Sequence, residues 1–217
     1  MRRSLSIAAA QPKCVSYDVA ANAATHAETV RSAGARVVVF PELSLTGYEP
    51  DAPAITAEDP RLTPIVEACA ETGSVALVGA PVEGPHIAIV AVDGTGATVA
   101  YRKVWLGTEE AVRFAPGSGP AVLDVDGWRL GLAVCKDTGV PRHARDTAAL
   151  GMDAYVAGTV KHAAEGALQD ERARRVAADH RVWVVVASFA GSTGGGFDRA
   201  AGRSGVWAPG GTVIVQA

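Results

Sequence analysis

The sequence predicts an α/β fold with mixed β-sheets, and three observations support that class. Short apolar runs alternate with helix-length segments along most of the 217 residues. Turns rich in Gly and Asp join neighbouring apolar runs into hairpins, which are not expected in a purely parallel sheet. No internal repeat or low-complexity linker interrupts the pattern, so we expect a single domain over residues 1–217.

The first half of the chain is predicted to contain two helices and five strands. The helices are Ala20–Ala33, which ends before Gly34, and Arg61–Glu71, which ends before Gly73. The strands are Ser4–Ala10, Arg36–Phe40, Val75–Ala80, Ile87–Val92 and Thr98–Arg102. The last two strands form a hairpin across a turn of sequence Asp-Gly-Thr-Gly, and a loop from Pro41 to Pro60 bears Pro and Gly.

The second half repeats the alternation after a loop rich in Gly and charge, Trp105 to Pro120. Helices are predicted from about Arg142 to Leu150 and over Glu165–His180. The predicted strands are Ala121–Val125, Trp128–Val134, Ala154–Ala157, Val182–Phe189, Gly205–Ala208 and Thr212–Gln216. The first two of these strands pair as a hairpin, and so do the last two.

Composition excludes several classes of protein. A net charge of −3 does not indicate nucleic-acid binding. No apolar run approaches the ~18 residues of a membrane-spanning helix. The opening Met1–Pro12 is interpreted as a first strand rather than a secretory signal, because its apolar stretch is too short. The 3 cysteines are widely spaced, which argues against a disulfide framework and a structural zinc site and favours the reducing cytoplasm.

Three reactive side chains are predicted to stand at the ends of strands. Glu42 follows the apolar run Val37–Phe40, Lys103 follows a second strand, and Cys135 follows the run Trp128–Val134. A thiol at a sharp turn between a strand and a helix has a fixed backbone and an exposed sulfur, as a nucleophile requires. Each residue alone is more simply a core cysteine or a solvated charge. The set of acid, amine and thiol predicts a reaction centre.

The sequences around these residues resemble the nitrilase superfamily of carbon–nitrogen hydrolases. The matching pieces are Phe40–Tyr48, Tyr101–Leu106, Glu110–Gly117 and Gly131–Asp137, with Pro141 and Arg145 beyond them. Their order and spacing together are specific, and the resemblance covers nearly the whole chain. It implies a four-layer αββα sandwich of two mixed β-sheets and a homodimer or larger assembly. Members of the superfamily usually continue past the last hairpin, so this chain is expected either to be a compact member or to be followed by further sequence beyond Ala217.

The resemblance implies a role for each catalytic candidate. Cys135 is then the nucleophile, Glu42 the general base and acid, and Lys103 the charge that stabilises the oxyanion. The backbone N–H of Lys136 is the natural second oxyanion donor. Glu110 occupies the place of a second glutamate that positions substrate or the lysine, although an alignment shifted by one residue would put Glu109 there instead. No metal or other cofactor is required by this set.

Further residues near the three candidates are open to two interpretations. Tyr48 and Trp105 are either pocket walls or core aromatics. Lys136 and Arg142, with Arg145, concentrate positive charge near the thiol, and we include Arg142 among the substrate-binding candidates. The simpler interpretation is that these cations cover a helix end or a dimer surface. His143 is predicted to be a surface residue at the start of a helix.

The predicted function is hydrolysis of a C–N bond in a small linear amide of the ω-amide or N-carbamoyl type, through an acyl-cysteine intermediate. Nitrilases proper typically carry Trp-Glu after the cysteine, whereas this chain carries Lys136-Asp137, so amides are favoured over nitriles. The alternatives are a nitrilase, a non-catalytic member that binds a small metabolite, and a glutaminase that feeds ammonia to a separate partner chain.

Overall fold

Two β-sheets and four helices form the chain in a computed structural model that describes residues 2–217. The helices are α1 Val19–Ala33, α2 Thr63–Thr72, α3 Pro141–Ala149 and α4 Gly166–His180. The strands are β1 Ile7–Ala9, β2 Val37–Val39, β3 Val75–Val82, β4 His86–Asp93, β5 Gly96–Arg102, β6 Ala121–Val125, β7 Trp128–Val134, β8 Ala154–Gly158, β9 Trp183–Ala187, β10 Gly205–Trp207 and β11 Val213–Gln216. The alternation and the hairpins predicted from the sequence are present.

Both sheets are mixed. The first has the order β1-β2-β3-β4-β5, and the second has the order β11-β10-β9-β8-β7-β6. In the first sheet β1, β2 and β3 are parallel, whereas β4 and β5 pair antiparallel as hairpins. In the second sheet β7, β8 and β9 are parallel, and β6, β10 and β11 are antiparallel. The parallel strands therefore carry their carboxyl ends to one edge of each sheet.

Three layers of apolar side chains separate four layers of secondary structure. The first sheet packs against α1 and α2 through Val30, Val38 and Ile65. The two sheets face each other through a second cluster that includes Val39 and Leu132. A third cluster joins the second sheet to α3 and α4. This αββα sandwich confirms the predicted fold class.

Helix ends agree with the sequence signals to within a residue or two. The side chain of Asp18 accepts a hydrogen bond from the Ala21 N–H and caps α1, and Gly34 ends that helix with φ of 57°. Strand ends differ more: β1 is only Ile7–Ala9 instead of the predicted Ser4–Ala10, because its parallel partner β2 pairs with those three residues alone. Among residues 2–217, no helix is long and apolar enough to cross a membrane.

Candidate active site

Glu42, Lys103 and Cys135 lie together between the two sheets, each in a turn that follows a strand. Glu42 comes after β2, Lys103 directly after β5 and Cys135 directly after β7. All three are buried, with exposed fractions of 1%, 1% and 7%. The sandwich thus brings an acid, an amine and a thiol from both sheets to one place.

Two glycines let the turn that carries Glu42 lie tightly between the sheets. A Cβ at Gly79 of β3 would stand 2.3 Å from the Pro41 carbonyl oxygen, and one at Gly158 of β8 would stand 2.6 Å from the Phe40 carbonyl oxygen. Any side chain at either position would push the turn away. Leu43 next to Glu42 has φ of 52°, a strained conformation that the surrounding packing holds.

The backbone at Cys135 is strained as well, with φ of 41°. Such left-handed conformations cost about 1–3 kcal/mol for a residue with a side chain and concentrate at functional sites. The Cys135 Sγ lies 3.2 Å from the Val160 carbonyl oxygen. Burial, and secondly the charge of Glu42, raises the pKa of the thiol to about 12, although the Lys103 charge opposes this. The resting thiol is therefore protonated and needs a base.

Lys103 stands between two carboxylates. Its Nζ donates to Glu42 Oε1 at 2.6 Å and to both oxygens of Glu110 at 2.7 and 2.8 Å. Burial alone would lower the pKa of Lys103, but the Glu42, Cys135 and Glu110 charges outweigh it and raise that pKa. Burial likewise acts to raise the pKa of Glu110, but the Lys103 charge and the hydrogen bonds from Lys103, the Gly107 N–H and the Tyr48 hydroxyl together outweigh it, so that pKa is lowered. Lys103 is held as a fixed cation.

One carboxylate oxygen of Glu42 accepts a hydrogen bond from Lys103, and the other accepts none within residues 2–217. Its Oε2 is buried and has no hydrogen-bond partner among residues 2–217. Burial raises the pKa of Glu42 to about 7; Lys103 lowers it and Glu110 raises it further. Cys135 is buried in the same apolar layer between the two sheets as Leu43, the neighbour of Glu42. A carboxyl with a pKa near neutrality is suited to take and return a proton at physiological pH.

Glu110 is fixed by more than the lysine. Its carboxylate accepts hydrogen bonds from the Tyr48 hydroxyl at 2.7 Å and from the Gly107 N–H at 2.5 Å. The neighbouring Glu109 is exposed. Of the two glutamates that the sequence left open, the structure therefore places Glu110 against the lysine.

Asp137 stabilises the short helix Cys135–Gly139 that carries the nucleophile. Its carboxylate accepts hydrogen bonds from the Val134 N–H at 2.9 Å, the Trp105 N–H at 2.9 Å and the Tyr101 hydroxyl at 2.7 Å. It thereby ties the end of β7 to the segment after Lys103. Asp137 is fully buried, so these bonds are shielded from water.

His143 is buried, and the prediction that it lies on the surface is wrong. Its exposed fraction is 2%, and its two ring nitrogens lie 2.8 Å from the hydroxyls of Tyr101 and Tyr155. These tyrosines project from β5 and β8 toward the first turn of α3. Burial lowers the pKa of His143, although the charge of Asp137 opposes this.

A cavity of about 430 Å³ opens onto the thiol. Of the predicted site residues, Lys103, Glu110 and Cys135 line it, and so do Tyr48, which the sequence left open as wall or core, and Lys136. Glu42 is not among the lining residues. The Lys136 Nζ donates to the Leu106 carbonyl oxygen at 2.5 Å.

Trp105 and Arg142 are not among the residues that line this cavity. Trp105 contributes its backbone N–H to Asp137. Arg142 points to solvent with a side chain that is 70% exposed, and it pairs with Asp146 at 3.3 Å. The prediction of Arg142 as a substrate-binding residue is therefore wrong, because the first turn of α3 directs it outward.

The cavity wall also includes residues that the sequence did not single out, among them Val160, Lys161, Glu165, Arg172 and Phe197. Lys161 stands three residues after β8, as Glu42 does after β2, and its position near a strand end is a signal that could have found it. Arg172 lies in a helix that carries two more arginines, and nothing in the spacing singles it out. Phe197 lies in an irregular segment and stacks on His162, with ring centroids 4.1 Å apart.

The described part of the chain contains no group of three or more His, Cys, Asp and Glu side chains arranged to hold a metal ion. Three cysteines are free, and only Cys135 among them lines the cavity. The groups available for chemistry in this cavity are thus a thiol, carboxylates and cations.

Comparison with known proteins decides the family. The family model described as Carbon-nitrogen hydrolase matches residues 6–217. The chain belongs to the carbon–nitrogen hydrolase family. It is a hydrolase of C–N bonds, and its resemblance to the nitrilase superfamily is confirmed.

Individual relatives are distant. A Pseudomonas protegens protein named "Hydrolase in pqqF 5'region" is 28% identical over 213 residues, which cover 92% of this chain and 74% of that protein. An amidase from Nesterenkonia sp. is 24% identical with a TM-score of 0.87, and the match covers 100% of this chain and 88% of the amidase. Nit3 of Saccharomyces cerevisiae, a member of branch 10 of the nitrilase superfamily, is 22% identical with a TM-score of 0.85, covering 98% and 85%. These structures share the αββα fold of this carbon–nitrogen hydrolase.

Proposed function

We propose that the enzyme hydrolyses a small linear amide through a thioester on Cys135. The observation that carries this proposal is the buried site that holds Glu42, Lys103 and Cys135: Lys103 binds one oxygen of Glu42, and the other, Oε2, has no partner among residues 2–217. A free carboxylate oxygen in the same buried site as a protonated thiol is a base suited to take its proton. In the Nesterenkonia amidase, a mutant structure shows Michael addition of acrylamide at the active site cysteine.

The first half-reaction forms the acyl-enzyme. Glu42 takes the proton of Cys135, and the sulfur attacks the carbonyl carbon of the amide to form a tetrahedral intermediate. Glu42 then gives that proton to the leaving nitrogen, the C–N bond breaks, and ammonia or an amine departs. The thioester remains on Cys135.

The second half-reaction releases the acid. Glu42, again ionised, takes a proton from water, and the hydroxide attacks the thioester carbon. The C–S bond breaks, and the thiolate regains a proton from Glu42. One carboxyl serves all these transfers because they occur in sequence and because its pKa of about 7 suits both directions.

Lys103 supplies the positive charge for the oxyanion of both tetrahedral intermediates. A cation fixed by two carboxylates needs no reorganisation when the negative charge develops, and this is where electrostatic catalysis gains most. The backbone N–H of Lys136 is the second donor. It lies in the first turn of the short helix Cys135–Gly139, where N–H groups have no acceptor within the helix.

Glu110 positions Lys103 in this proposal, and a matched pair of variants tests that role. Glu110→Gln removes the charge that shares Lys103 with Glu42, and we expect kcat/KM for an amide to fall about 100-fold, as for loss of a buried charge-assisted hydrogen bond. Glu28→Gln changes an exposed glutamate of α1 that does not line the cavity, and it should leave kcat/KM within about twofold. Measurement of ammonia release by both variants checks this. Equal losses in the two would contradict the role of Glu110.

Amides are preferred over nitriles in this proposal. Cys135 is followed by Lys136-Asp137 and not by the Trp-Glu pair typical of nitrilases. In this chain Asp137 accepts three hydrogen bonds that hold the turn of the nucleophile. The test is ammonia release from short amides, N-carbamoyl amino acids and nitriles, with Cys135→Ala beside the wild type. We expect release from amides or carbamoyl compounds that is lost in the variant. Release from nitriles alone would reverse the preference.

We further propose that the enzyme acts as a homodimer or larger homo-oligomer in the cytoplasm. Its described cysteines are all unpaired, which fits a reducing compartment. Leu150 and Leu168, at the outer helices α3 and α4, are 41% and 39% exposed, and apolar surface of this kind is covered in an oligomer. Sedimentation velocity at micromolar concentration tests the assembly, and a single monomeric species would exclude it.

A further inference from the structure

Four buried side chains form one continuous row of hydrogen bonds next to the candidate site. The Tyr155 hydroxyl lies 2.8 Å from His143 Nδ1, and His143 Nε2 lies 2.8 Å from the Tyr101 hydroxyl. The Tyr101 hydroxyl in turn donates to Asp137 Oδ2 at 2.7 Å. None of the four residues is more than 3% exposed. They come from β8, α3, β5 and the short helix Cys135–Gly139, so this row joins both sheets to α3.

The protons of the row can be assigned by counting donors and acceptors. A carboxylate only accepts, and a hydroxyl has a single proton to donate. Because Tyr101 gives its proton to Asp137, its oxygen is the acceptor for His143 Nε2. A neutral imidazole with its proton on Nε2 accepts at Nδ1, and the Tyr155 hydroxyl is then the donor.

A charged imidazole does not fit this row. It would donate from both ring nitrogens and would leave the proton of the buried Tyr155 hydroxyl without an acceptor among residues 2–217. Burial lowers the pKa of His143 and favours the neutral ring, although the charges of Asp137 and Asp146 oppose this. The hydrogen bonds therefore all point one way, from Tyr155 to Asp137.

The row ends on the two backbone segments that carry the thiol and the amine. Asp137 Oδ2 accepts a hydrogen bond from the N–H of Val134, which directly precedes Cys135. Its Oδ1 accepts one from the N–H of Trp105, two residues after Lys103. A shift of this one carboxylate would therefore move the segments of both reactive groups.

The backbone at Cys135 needs such a restraint. Its φ of 41° belongs to a strained conformation that persists only where the surrounding contacts over-determine it. The oxygen of Asp137 that holds the Val134 N–H is the one that Tyr101 binds. Hydrogen bonds in a buried row polarise one another, so a donor on the Tyr101 oxygen strengthens the bond from its hydroxyl to Asp137.

We propose that His143 is a positioning residue for the reaction: its Nε2 proton orients the Tyr101 hydroxyl onto Asp137 and thereby holds the turn of Cys135. This inference rests on the proposed role of Cys135 as the nucleophile. His143 does not line the cavity, so it acts through Tyr101 and Asp137. A donor at the place of Nε2 is then sufficient for activity, whereas a polar group at the place of Nδ1 is not.

Glutamine and asparagine at position 143 separate the two ring nitrogens. The side-chain nitrogen of glutamine is as many bonds from Cβ as Nε2 of histidine, and that of asparagine is as many bonds from Cβ as Nδ1. His143→Gln therefore keeps a donor within reach of Tyr101, and His143→Asn keeps a polar group only toward Tyr155. Both variants place an amide in the same buried position, so each is the control for the other.

We expect kcat for the best amide to fall about 10- to 100-fold in His143→Asn and to stay within about threefold of the wild type in His143→Gln, with KM little changed in either. His180→Asn, at the end of α4 and outside the cavity wall, should leave kcat unchanged. Urea unfolding of each variant measures the stability that is lost. A purely structural role would lower stability and leave kcat equal in His143→Asn and His143→Gln, and equal values of kcat would overturn the proposal.

A measurement on the wild type tests the proton assignment without any variant that must fold and turn over. NMR of the enzyme with isotope-labelled histidine reports which ring nitrogen carries the proton. We expect a neutral His143 with its proton on Nε2. A proton on Nδ1, or a charged ring at neutral pH, would overturn the proposal.

The reactivity of the thiol separates this inference from the proposed hydrolysis. Alkylation of Cys135 by iodoacetamide, followed on its peptide by mass spectrometry, should be about tenfold slower in His143→Asn than in His143→Gln, since a displaced thiol loses its base. Equal rates in the two variants would overturn the role of His143. Absence of turnover by the wild type on every amide, with this difference in alkylation intact, would reject the proposed hydrolysis and retain the positioning role.

Discussion

Replacement of Glu42 by glutamine is expected to lower kcat/KM for an amide about 10²- to 10⁴-fold, the usual contribution of general acid–base catalysis. Glutamine keeps the volume of the side chain but takes no proton from the Cys135 thiol, whose own pKa of about 12 leaves it protonated at neutral pH. The fold should persist, because Lys103 retains Glu110 as a partner. Circular dichroism measures whether the fold persists, and ammonia release by the same preparation measures the loss of activity.

The pH dependence of the wild type follows from the same carboxyl. The pKa of Glu42 is raised to about 7, so below that pH the carboxyl holds a proton and is no longer a base. We expect kcat/KM to fall about tenfold per pH unit below 7 and to level off above it. Glu42→Gln should abolish this acid limb. A wild-type profile that is flat between pH 5 and 8 would contradict the role of Glu42.

Replacement of Lys103 by methionine is expected to damage both catalysis and stability. Loss of an oxyanion donor lowers kcat about 10²- to 10³-fold. The change also leaves the buried carboxylates of Glu42 and Glu110 without their cation, and breaking a buried ion pair by removing one partner costs about 3–5 kcal/mol. Part of the lost stability should be recovered as pH falls below 7, since protonation of Glu42 and Glu110 removes their unpaired charges.

Two further variants separate the roles of Lys103. Lys13 is exposed and remote from the cavity, so Lys13→Met should change neither activity nor the free energy of unfolding by urea. The double variant Lys103→Met, Glu110→Gln removes one of the stranded charges and should regain stability without regaining activity. Recovery of activity in the double variant would show that Lys103 serves only to neutralise Glu110.

The sequence was sufficient to predict the fold because local signals agree with one another. Gly34 and Gly73 both adopt the left-handed conformation that ends a helix, and the hairpin turn across Asp126 likewise falls where predicted. The ends of β1 were less predictable. Apolar residues continue beyond the paired segment, and only the neighbouring strand decides where pairing stops.

The candidate site was predictable in its centre and less so at its edges. Glu42 and Cys135 follow buried strands with parallel neighbours, and Lys103 follows the partly exposed strand β5. A sequence pattern can locate such strand ends, and the catalytic roles of the three residues stay predictions. Arg142 and His143 are adjacent in α3, yet one is exposed and the other buried. The difference depends on the two tyrosines that reach His143 from distant strands, which no local pattern reveals.

A covalent acyl intermediate on the Cys135 thiol can be detected by mass spectrometry of the enzyme quenched in acid during turnover of its best amide. We expect a mass increase equal to the acyl group on the peptide that contains Cys135, absent from Cys135→Ala, which should release no ammonia. Hydrolysis of the amide by Cys135→Ala at the wild-type rate, with no adduct on the wild type, would exclude the thioester.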